Sequence, residues 1–544
     1  MRKNALLDGR LSLTTPEGIR LLLVPAGPAA RAKAWAIDLV LFMGVAWLMA
    51  LLLAWSKLGQ GIYYVLLFVS YWAYPILCEV YGGGRTVGKR AVGIKVLRAD
   101  GLPVGWREST LRNLLLVADF LPVFYVAGLF SMLADARFRR LGDIIAATQV
   151  VYLDAPPKRA QAAQQTVAPQ ALPFALTPEQ QRTLIDLFER EASLPPERLL
   201  ELGTLAEALT GHTGEASVAR LRAYVAAAEG VKQKQFEAEH AELFEQIRAI
   251  QDGSSPAPEA LPELYRRLCQ CLALCTQRGY SPALADQLQN MVAACHHRLY
   301  GSAINRPGTL LRWMLVELPR RVRAEWRLLL LAILGFWGVG IGLGLLVWFQ
   351  PHWAYSFMSP AELDKMRVMY QPGQMRTGRG GEGDMLMFGF YIWNNVSICF
   401  RTFAGGLFAG IPALLSVVYN GMHGGVIAAW LSRDPATRQN FWSFVVTHSS
   451  FEITGLLLSA VAGMRLGLTV IRPGRLSRRH ALTAASRTIF PVIIGAALLT
   501  ALAAFFEGFW SANQNIPANV KYAVGAVCWS AVIGFFTFAA RERA

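Results

Sequence analysis

Residues 34–55 read AWAIDLVLFMGVAWLMALLLAW, twenty-two positions with a single charge, Asp38. A helix rises about 1.5 Å per residue and the hydrocarbon core of a bilayer is about 30 Å thick, so about 20 such residues cross it. Further apolar runs of that size occupy 62–81, 327–349, 386–404, 407–431, 441–464, 488–510 and 519–540. The first two are joined by a short turn around Lys57–Gly61. A shorter-lived run, 113–134, contains Asp119 and Pro122. Only 17% of the chain is charged, against about a quarter in soluble domains. The fold class is therefore an all-α polytopic membrane protein. A soluble enzyme, a secreted disulfide scaffold and a fibrous protein are excluded. The seven cysteines follow no regular spacing, which agrees with reduced thiols in lipid or cytosol. The first 33 residues read as basic and loop-like, and the run after them is too long for the core of a cleavable signal peptide.

The net charge is +16, but residues 174–300 hold 12 basic and 17 acidic side chains. The basic excess thus lies beside the apolar runs, where lysine and arginine mark cytoplasmic helix ends rather than a nucleic-acid partner. Arg20, Arg31 and Lys33 precede the first run; Arg85, Lys89, Arg90, Lys95, Arg98 and Arg107 follow the second. Arg320, Arg321, Arg323 and Arg327 precede the third, Arg472 to Arg479 separate two later runs, and Arg541 and Arg543 close the chain. All of these face inward if 113–134 does not cross. Proline at 122 cannot sustain the helical ladder, and Asp119 resists the bilayer centre. The expected architecture is about eight spanning helices plus one broken or re-entrant helix. A helical bundle lies between two membrane domains. The N-terminus, the middle and the C-terminus are cytoplasmic. The alternative is a true crossing at 113–134 with the middle outside.

Arg31 and Asp38 stand two helical turns apart, on one face of the first span. Beyond the second span, Thr86-Val-Gly-Lys-Arg90, Gly93 and Asp100-Gly101 form a basic, glycine-rich loop, with Ile94–Leu97 as a short strand. It is no P-loop, because the serine or threonine after the lysine is missing. Together with Arg112, Asp119 and Leu141-Gly-Asp143, these residues resemble the RDD family of small membrane domains, over about residues 20–152. Arg31, Asp38 and Asp143 stand for its one arginine and two aspartates. The resemblance implies a membrane domain for which ion exchange has been suggested. On the residues themselves, the three charges read first as a helix-locking ion network.

After a Pro/Ala/Gln linker, 154–177, residues 178–326 read as a cytoplasmic helical domain. Thr177 caps its first helix, Lys232–Ile250 forms another, and Leu264 to Tyr300 supply a final pair. Cys271 and Cys275 share a face, with Cys295-His296-His297 about 20 residues on. The spacing of a zinc knuckle is absent. They read as small buried residues and two surface histidines.

The domain plan is thus 1–153, 154–177, 178–326 and 327–544, the last with six helices. In this last domain Gly405, Gly406 and Gly410, then Gly421, Gly424 and Gly425, offer small faces for close helix packing and a preferred homodimer. Asn394, Asn395, Arg401, Asn420, His423, His448, Glu452 and Glu507 are its intramembrane polar groups. His448 and Glu452 are spaced to pair on one helix face. HExxH is absent, as are a nucleophile elbow and a Walker pair, so no catalytic residue, cofactor or metal is assigned and the protein is not read as an enzyme.

Phe390 to Asn395, Phe403 to Gly410, Asn420 to Gly425, Thr447 to Glu452, Ala462 to Gly467 and Phe506 to Trp510 resemble the stage II sporulation protein M family. So do Leu264-Tyr-Arg266, His297–Tyr300 and Pro319, giving a coverage of about 260–540. Ser449-Ser450 departs from the family's usual glycine. The resemblance implies an inner-membrane scaffold or assembly component in envelope maintenance, with a MoxR-type AAA+ ATPase and von Willebrand-type proteins as partners beside lipid. The alternative is an ion-coupled transporter or channel that uses the intramembrane charges.

Overall fold

The computed structural model describes residues 11–14, 20–121, 125–153, 177–189, 194–230, 232–251, 260–278, 280–300, 312–372 and 381–541. The linker expected at 154–177 lies outside them except for Thr177, and so does Pro122. The chain divides into two compact units. One comprises Met1–Pro25, Asp100–Pro103 and Val151–Ser302; the other comprises Ala26–Ala99, Val104–Val150 and Ala303–Ala544. Both membrane parts therefore belong to one packed body.

In the first unit, strands β1 (Leu11–Thr14) and β2 (Arg20–Leu23) pair antiparallel, Leu11 opposite Leu23, where the sequence reads as loop. Helices follow from Pro178, with the Thr177 hydroxyl accepting from the Gln180 amide at 3.4 Å as its cap. The helix expected over 232–250 is two, Lys232–Glu239 and Ala241–Gln251. They close over Leu261–Arg278 and Pro282–Tyr300 around Leu268, Leu288, Val292 and the four cysteines of the region. His296 is buried there, with the Tyr265 hydroxyl 3.3 Å from its Nδ1. It is not a surface histidine: it sits on the apolar face of an amphipathic helix. The His297 side chain lies outside the described residues.

In the second unit, α1 (Pro28–Leu53) and α2 (Lys57–Tyr81) form a helical hairpin. The turn falls at 54–56 rather than at Lys57–Gly61, because the Ser56 hydroxyl caps α2 by accepting from the Gly59 amide at 2.9 Å. The basic loop folds as α3 (Val87–Val92), and strand β3 (Ile94–Arg98) then pairs with β4 (Thr148–Tyr152). The 113–134 run is broken. It forms α4 (Trp106–Leu114), α5 (Leu116–Asp119) and α6 (Val126–Ala134), each too short to cross a bilayer. The next helix, α7 (Leu141–Ala146), brings Asp143 under them.

The C-terminal part contains α8 (Trp326–Phe349), α9 (381–405), α10 (Ile411–Arg433), α11 (Pro435–Ile471), α12 (Arg478–Ser511) and α13 (Ala518–Phe538). Among the described residues seven helices are long and apolar enough to span a membrane: α1, α2, α8, α10, α11, α12 and α13. Helix α9 is helical throughout, yet Asn394, Asn395 and Arg401 keep it outside that set. Helix α11 is the axis, packed by α9, α10, α12 and α13. Its inner face is built from Gly455, Ser459, Ala460, Ala462, Gly463 and Gly467, small residues that let neighbouring backbones approach.

The glycines differ in what they do. A Cβ on Gly425 would meet the Gly340 carbonyl carbon at 2.6 Å, and one on Gly421 the Phe336 Cα at 2.8 Å, so α8 and α10 touch backbone to backbone. Gly406 lies against Gly463, and Gly405 against Pro412. Gly410 instead supplies a left-handed turn, φ +79°, ahead of α10. Gly424, expected to pack, faces open space, since only two glycines of the three point toward α8. Close approach also joins the two halves. Gly389 of α9 rests on Gly61 of α2, and Trp72 packs edge-on to Phe400 at 4.8 Å.

Replacing Gly425 by valine forces α8 and α10 apart. The expected loss is about 1–3 kcal/mol, read as a lower melting temperature in detergent. Gly424→Ala should stay within about 0.5 kcal/mol of the parent.

Candidate functional site

Two groups of buried polar residues occur in the second unit, and they are built differently. In the N-terminal part, Asp143 is fully buried at the start of α7. It accepts from Arg31 at 2.6 Å and from Arg112 at 3.0 Å, and the Arg140 Nε lies 3.7 Å away. Arg112 also pairs with Glu79 at the end of α2, which takes Lys89, Ser109 (2.7 Å) and Asn113 (3.2 Å) as well. Asp119 accepts from the Leu141 amide at 3.2 Å and stands 3.5 Å from Arg140. Three carboxylates and four cations thus interlock α1, α2, α3, α4, α5 and α7.

Asp38 is not part of that network. Its carboxylate accepts from the Tyr74 hydroxyl (2.7 Å), the Thr86 hydroxyl (2.6 Å) and the Gly88 amide (2.8 Å). It thereby fixes the start of α3, and the expected Arg31–Asp38–Asp143 ion network becomes a pair, Arg31–Asp143, with Asp38 serving a separate joint. One ion pair among these crosses between the halves: Asp135, which binds Arg139 at 2.7 Å beside it, also binds Arg479 of α12 at 2.9 Å. Ser486 donates to the Ile145 carbonyl at 3.0 Å beside it.

Burial would raise the Asp143 carboxyl, but Arg31, Arg112 and Arg140 hold it well below the usual carboxylate range. For Asp119 burial wins over Arg140 and pushes it up to about 7. Burial likewise draws the Lys89 ammonium down to about 8 against the pull of Glu79.

In the C-terminal part the polar groups line a partly open cavity of about 740 Å³ between α8, α9, α10 and α11. Its walls are mostly apolar, Trp337 and Trp348 among them. Asn395, Asn420, His423, His448 and Glu452 face it. Asn420 donates to the Ser416 carbonyl of its own helix at 2.8 Å, and His423 stacks on Tyr419. Arg401 is exposed and lies away from this group. Ser449 and Ser450 bond carbonyls of their own helix, so their departure from glycine leaves α11 regular.

Beside the cavity, His448 Nε2 lies 3.9 Å from Glu452 Oε2, and His448 Nδ1 lies 3.0 Å from the Ser511 hydroxyl. Glu507 comes from α12 to complete a group in which one donor atom of each residue lies within 4.8 Å of the others. Asn395 donates to Glu507 at 3.3 Å, Asn394 donates to Asn395 at 2.8 Å, and Tyr391 hydrogen-bonds Glu507. Asn395 and Glu507 each sit on a π-turn, Ile392–Val396 and Phe506–Ser511. Such turns are rare in helices and frequent at functional sites. A third, Leu334–Gly338, supplies Phe336 and Trp337 to the cavity wall.

The seven long apolar helices and the buried polar groups define a polytopic membrane protein. Its two membrane parts match two families: residues 25–147 the RDD family, and residues 328–512 stage II sporulation protein M. The chain joins an RDD domain to a stage II sporulation protein M domain. Residues 234–301, read above as the start of the second family, match a separate domain of unknown function (DUF8413). An uncharacterized protein of Methanocaldococcus jannaschii is 29% identical over 73 residues, 13% of this chain and 41% of that protein. The chain thus spans about two fifths of that relative's length. No solved structure matches.

Sequence reasoning missed Glu79, Arg112 as the bridge, and the Asp135–Arg479 pair. Glu79 carried a signal, being a lone acid just inside the end of an apolar run.

Asp143→Asn leaves three arginines facing a neutral group, and should cost about 3–5 kcal/mol of stability. The raised Asp119 favours the folded state fully below its unfolded value of 3.8 and loses that contribution as pH rises through about 7. Melting curves from pH 5 to 8 should therefore fall more steeply for the parent than for Asp119→Asn.

Proposed function

We propose that the protein is an ion-coupled transporter or channel whose working site is the cavity of the C-terminal domain. The supporting observation is that His448, Glu452 and Asn395 face a space of about 740 Å³ inside a helix bundle. An ionisable residue in such a place is costly, and where it faces a cavity it commonly marks a substrate or ion path. The RDD half acts as the brace: its buried carboxylates are matched by Arg31, Lys89, Arg112 and Arg140. In this reading it holds α2 against α9 and α7 against α12, keeping fixed one wall of the bundle around the cavity.

A second reading draws on the middle helices, which have their own core around Leu268 and Leu288. A self-supporting helical domain on the cytoplasmic side of the bacterial inner membrane suits a scaffold that docks a MoxR-type ATPase and von Willebrand-type partners, with the chain as a homodimer. The domain plan of 1–153, 178–326 and 327–544 belongs to that reading.

The two separate in proteoliposomes. With Na⁺, K⁺, protons and divalent cations offered in turn, the transport reading expects flux of at least one, reduced at least tenfold in Glu452→Gln at unchanged melting temperature. Absence of flux for every cation, or flux indifferent to Glu452→Gln, overturns it.

A further inference from the structure

We infer that His448, Glu452 and Glu507 bind a divalent transition-metal cation at the edge of the C-terminal cavity. The cation enters through that cavity and is held by one imidazole nitrogen and two carboxylates. The inference deepens the transport reading and rests on it for the role of the cation as cargo. Binding itself stands on the geometry alone.

The ligands come from two helices packed along each other, α11 and α12. His448 and Glu452 are one turn apart on α11, and Glu507 projects from the π-turn of α12. Their donor atoms lie within 4.8 Å of one another, with 3.9 Å between His448 Nε2 and Glu452 Oε2. Bonds of about 2.1 Å in tetrahedral geometry put donors about 3.4 Å apart. The remaining contraction is within reach of Glu452, whose side chain is 36% exposed toward the cavity while His448 is fixed.

The groups around the ligands are arranged as metal sites require. A ligating histidine usually engages its second ring nitrogen with an oxygen, which fixes the tautomer and aims the first nitrogen at the metal. Here Nδ1 faces the buried Ser511 hydroxyl at 3.0 Å, leaving Nε2 toward the carboxylates. The Ser511 carbonyl is held by the Lys521 ammonium at 2.8 Å. Ligating carboxylates are themselves hydrogen-bonded, and Glu507 takes Asn395 and Tyr391.

Charge makes the same point by contrast. Glu79, Asp119 and Asp143 each meet an arginine. Among the described residues no arginine or lysine forms an ion pair with Glu452 or Glu507; the imidazole of His448 is the nitrogen group in reach. Two carboxylates at this separation repel one another, and a cation held between them relieves that repulsion. One nitrogen and two oxygens suit Zn²⁺, Mn²⁺ or Fe²⁺ more than Ca²⁺ or Mg²⁺, which take mainly oxygen.

The test uses the full chain in detergent, stripped of metal and titrated with Zn²⁺ by calorimetry. Co²⁺ serves as a spectroscopic probe of an imidazole-containing site. One equivalent per chain is expected, with affinity lowered at least tenfold in Glu507→Gln and in His448→Gln. Ser511→Ala, which leaves all three ligands in place, should weaken binding less. Melting of the metal-free variants checks their fold, and Ser511→Ala decides the matter if either ligand variant unfolds. Zinc binding that persists unchanged in Glu507→Gln, or a stoichiometry no higher than in the variant lacking all three ligands, overturns the inference. Zinc bound without zinc flux in proteoliposomes removes the cargo role and leaves the site.

Discussion

A carboxylate removed from water costs several kcal/mol unless an opposite charge or a set of donors replaces its hydration. That cost organises both halves of this membrane body. In the RDD half the answer lies within the chain: Asp143 collects Arg31 and Arg112, and Glu79 collects Arg112 and Lys89. Arg112 is the hinge of the arrangement, because it alone touches both carboxylates. Helices too short to be stable in isolation, α4, α5 and α7, are held to α1 and α2 by these pairs. Asp119 of the broken segment is tied in the same way, accepting from the Leu141 amide and lying beside Arg140.

In the C-terminal half the same cost is met differently. Helices there associate through close backbone contact, Gly421 and Gly425 on α8 and Gly406 on Gly463, and few polar groups are needed to hold them. His448, Glu452 and Glu507 join α9, α11 and α12 through Ser511 and Asn395, with no arginine or lysine paired to them among the described residues. Their neighbours Ser511, Asn395 and Tyr391 orient them without neutralising them. An ion network that fixes helices has its charges matched, whereas a site that exchanges an ion with solvent leaves a mismatch for the ion to fill.

What the sequence discloses follows the range of each interaction. Spans of 20 apolar residues are local and were legible, as was the Ile94–Leu97 strand and the interruption at 113–134. The His448–Glu452 pair was legible because one helical turn fixes it. Glu507 was named, but nothing local joins it to Glu452 and His448, 55 and 59 positions earlier; the packing of α12 on α11 does that. The Arg31–Asp38 spacing misled for the opposite reason. Shared helical face is a local fact, yet Asp38 is claimed by Thr86 and Gly88 and Arg31 by Asp143, both through tertiary contacts that spacing cannot reveal. The N-terminal hairpin β1–β2 gave no strong apolar alternation above the basic background.

The π-turns complete the physical argument. One extra residue in a helical turn rotates everything beyond it by roughly 100°, so a helix can place its first half for packing and its second half for a ligand. On α9 the turn at Ile392–Val396 lets Gly389 face α2 while Asn395 reaches Glu507. On α12, Ala496 and Thr500 pack on Gly455 of α11, and the turn at Phe506–Ser511 brings Glu507 and Ser511 to His448 of the same helix. Two helices that each surrender regular hydrogen bonding at the same cluster point to a constraint on the cluster itself rather than on the packing around it.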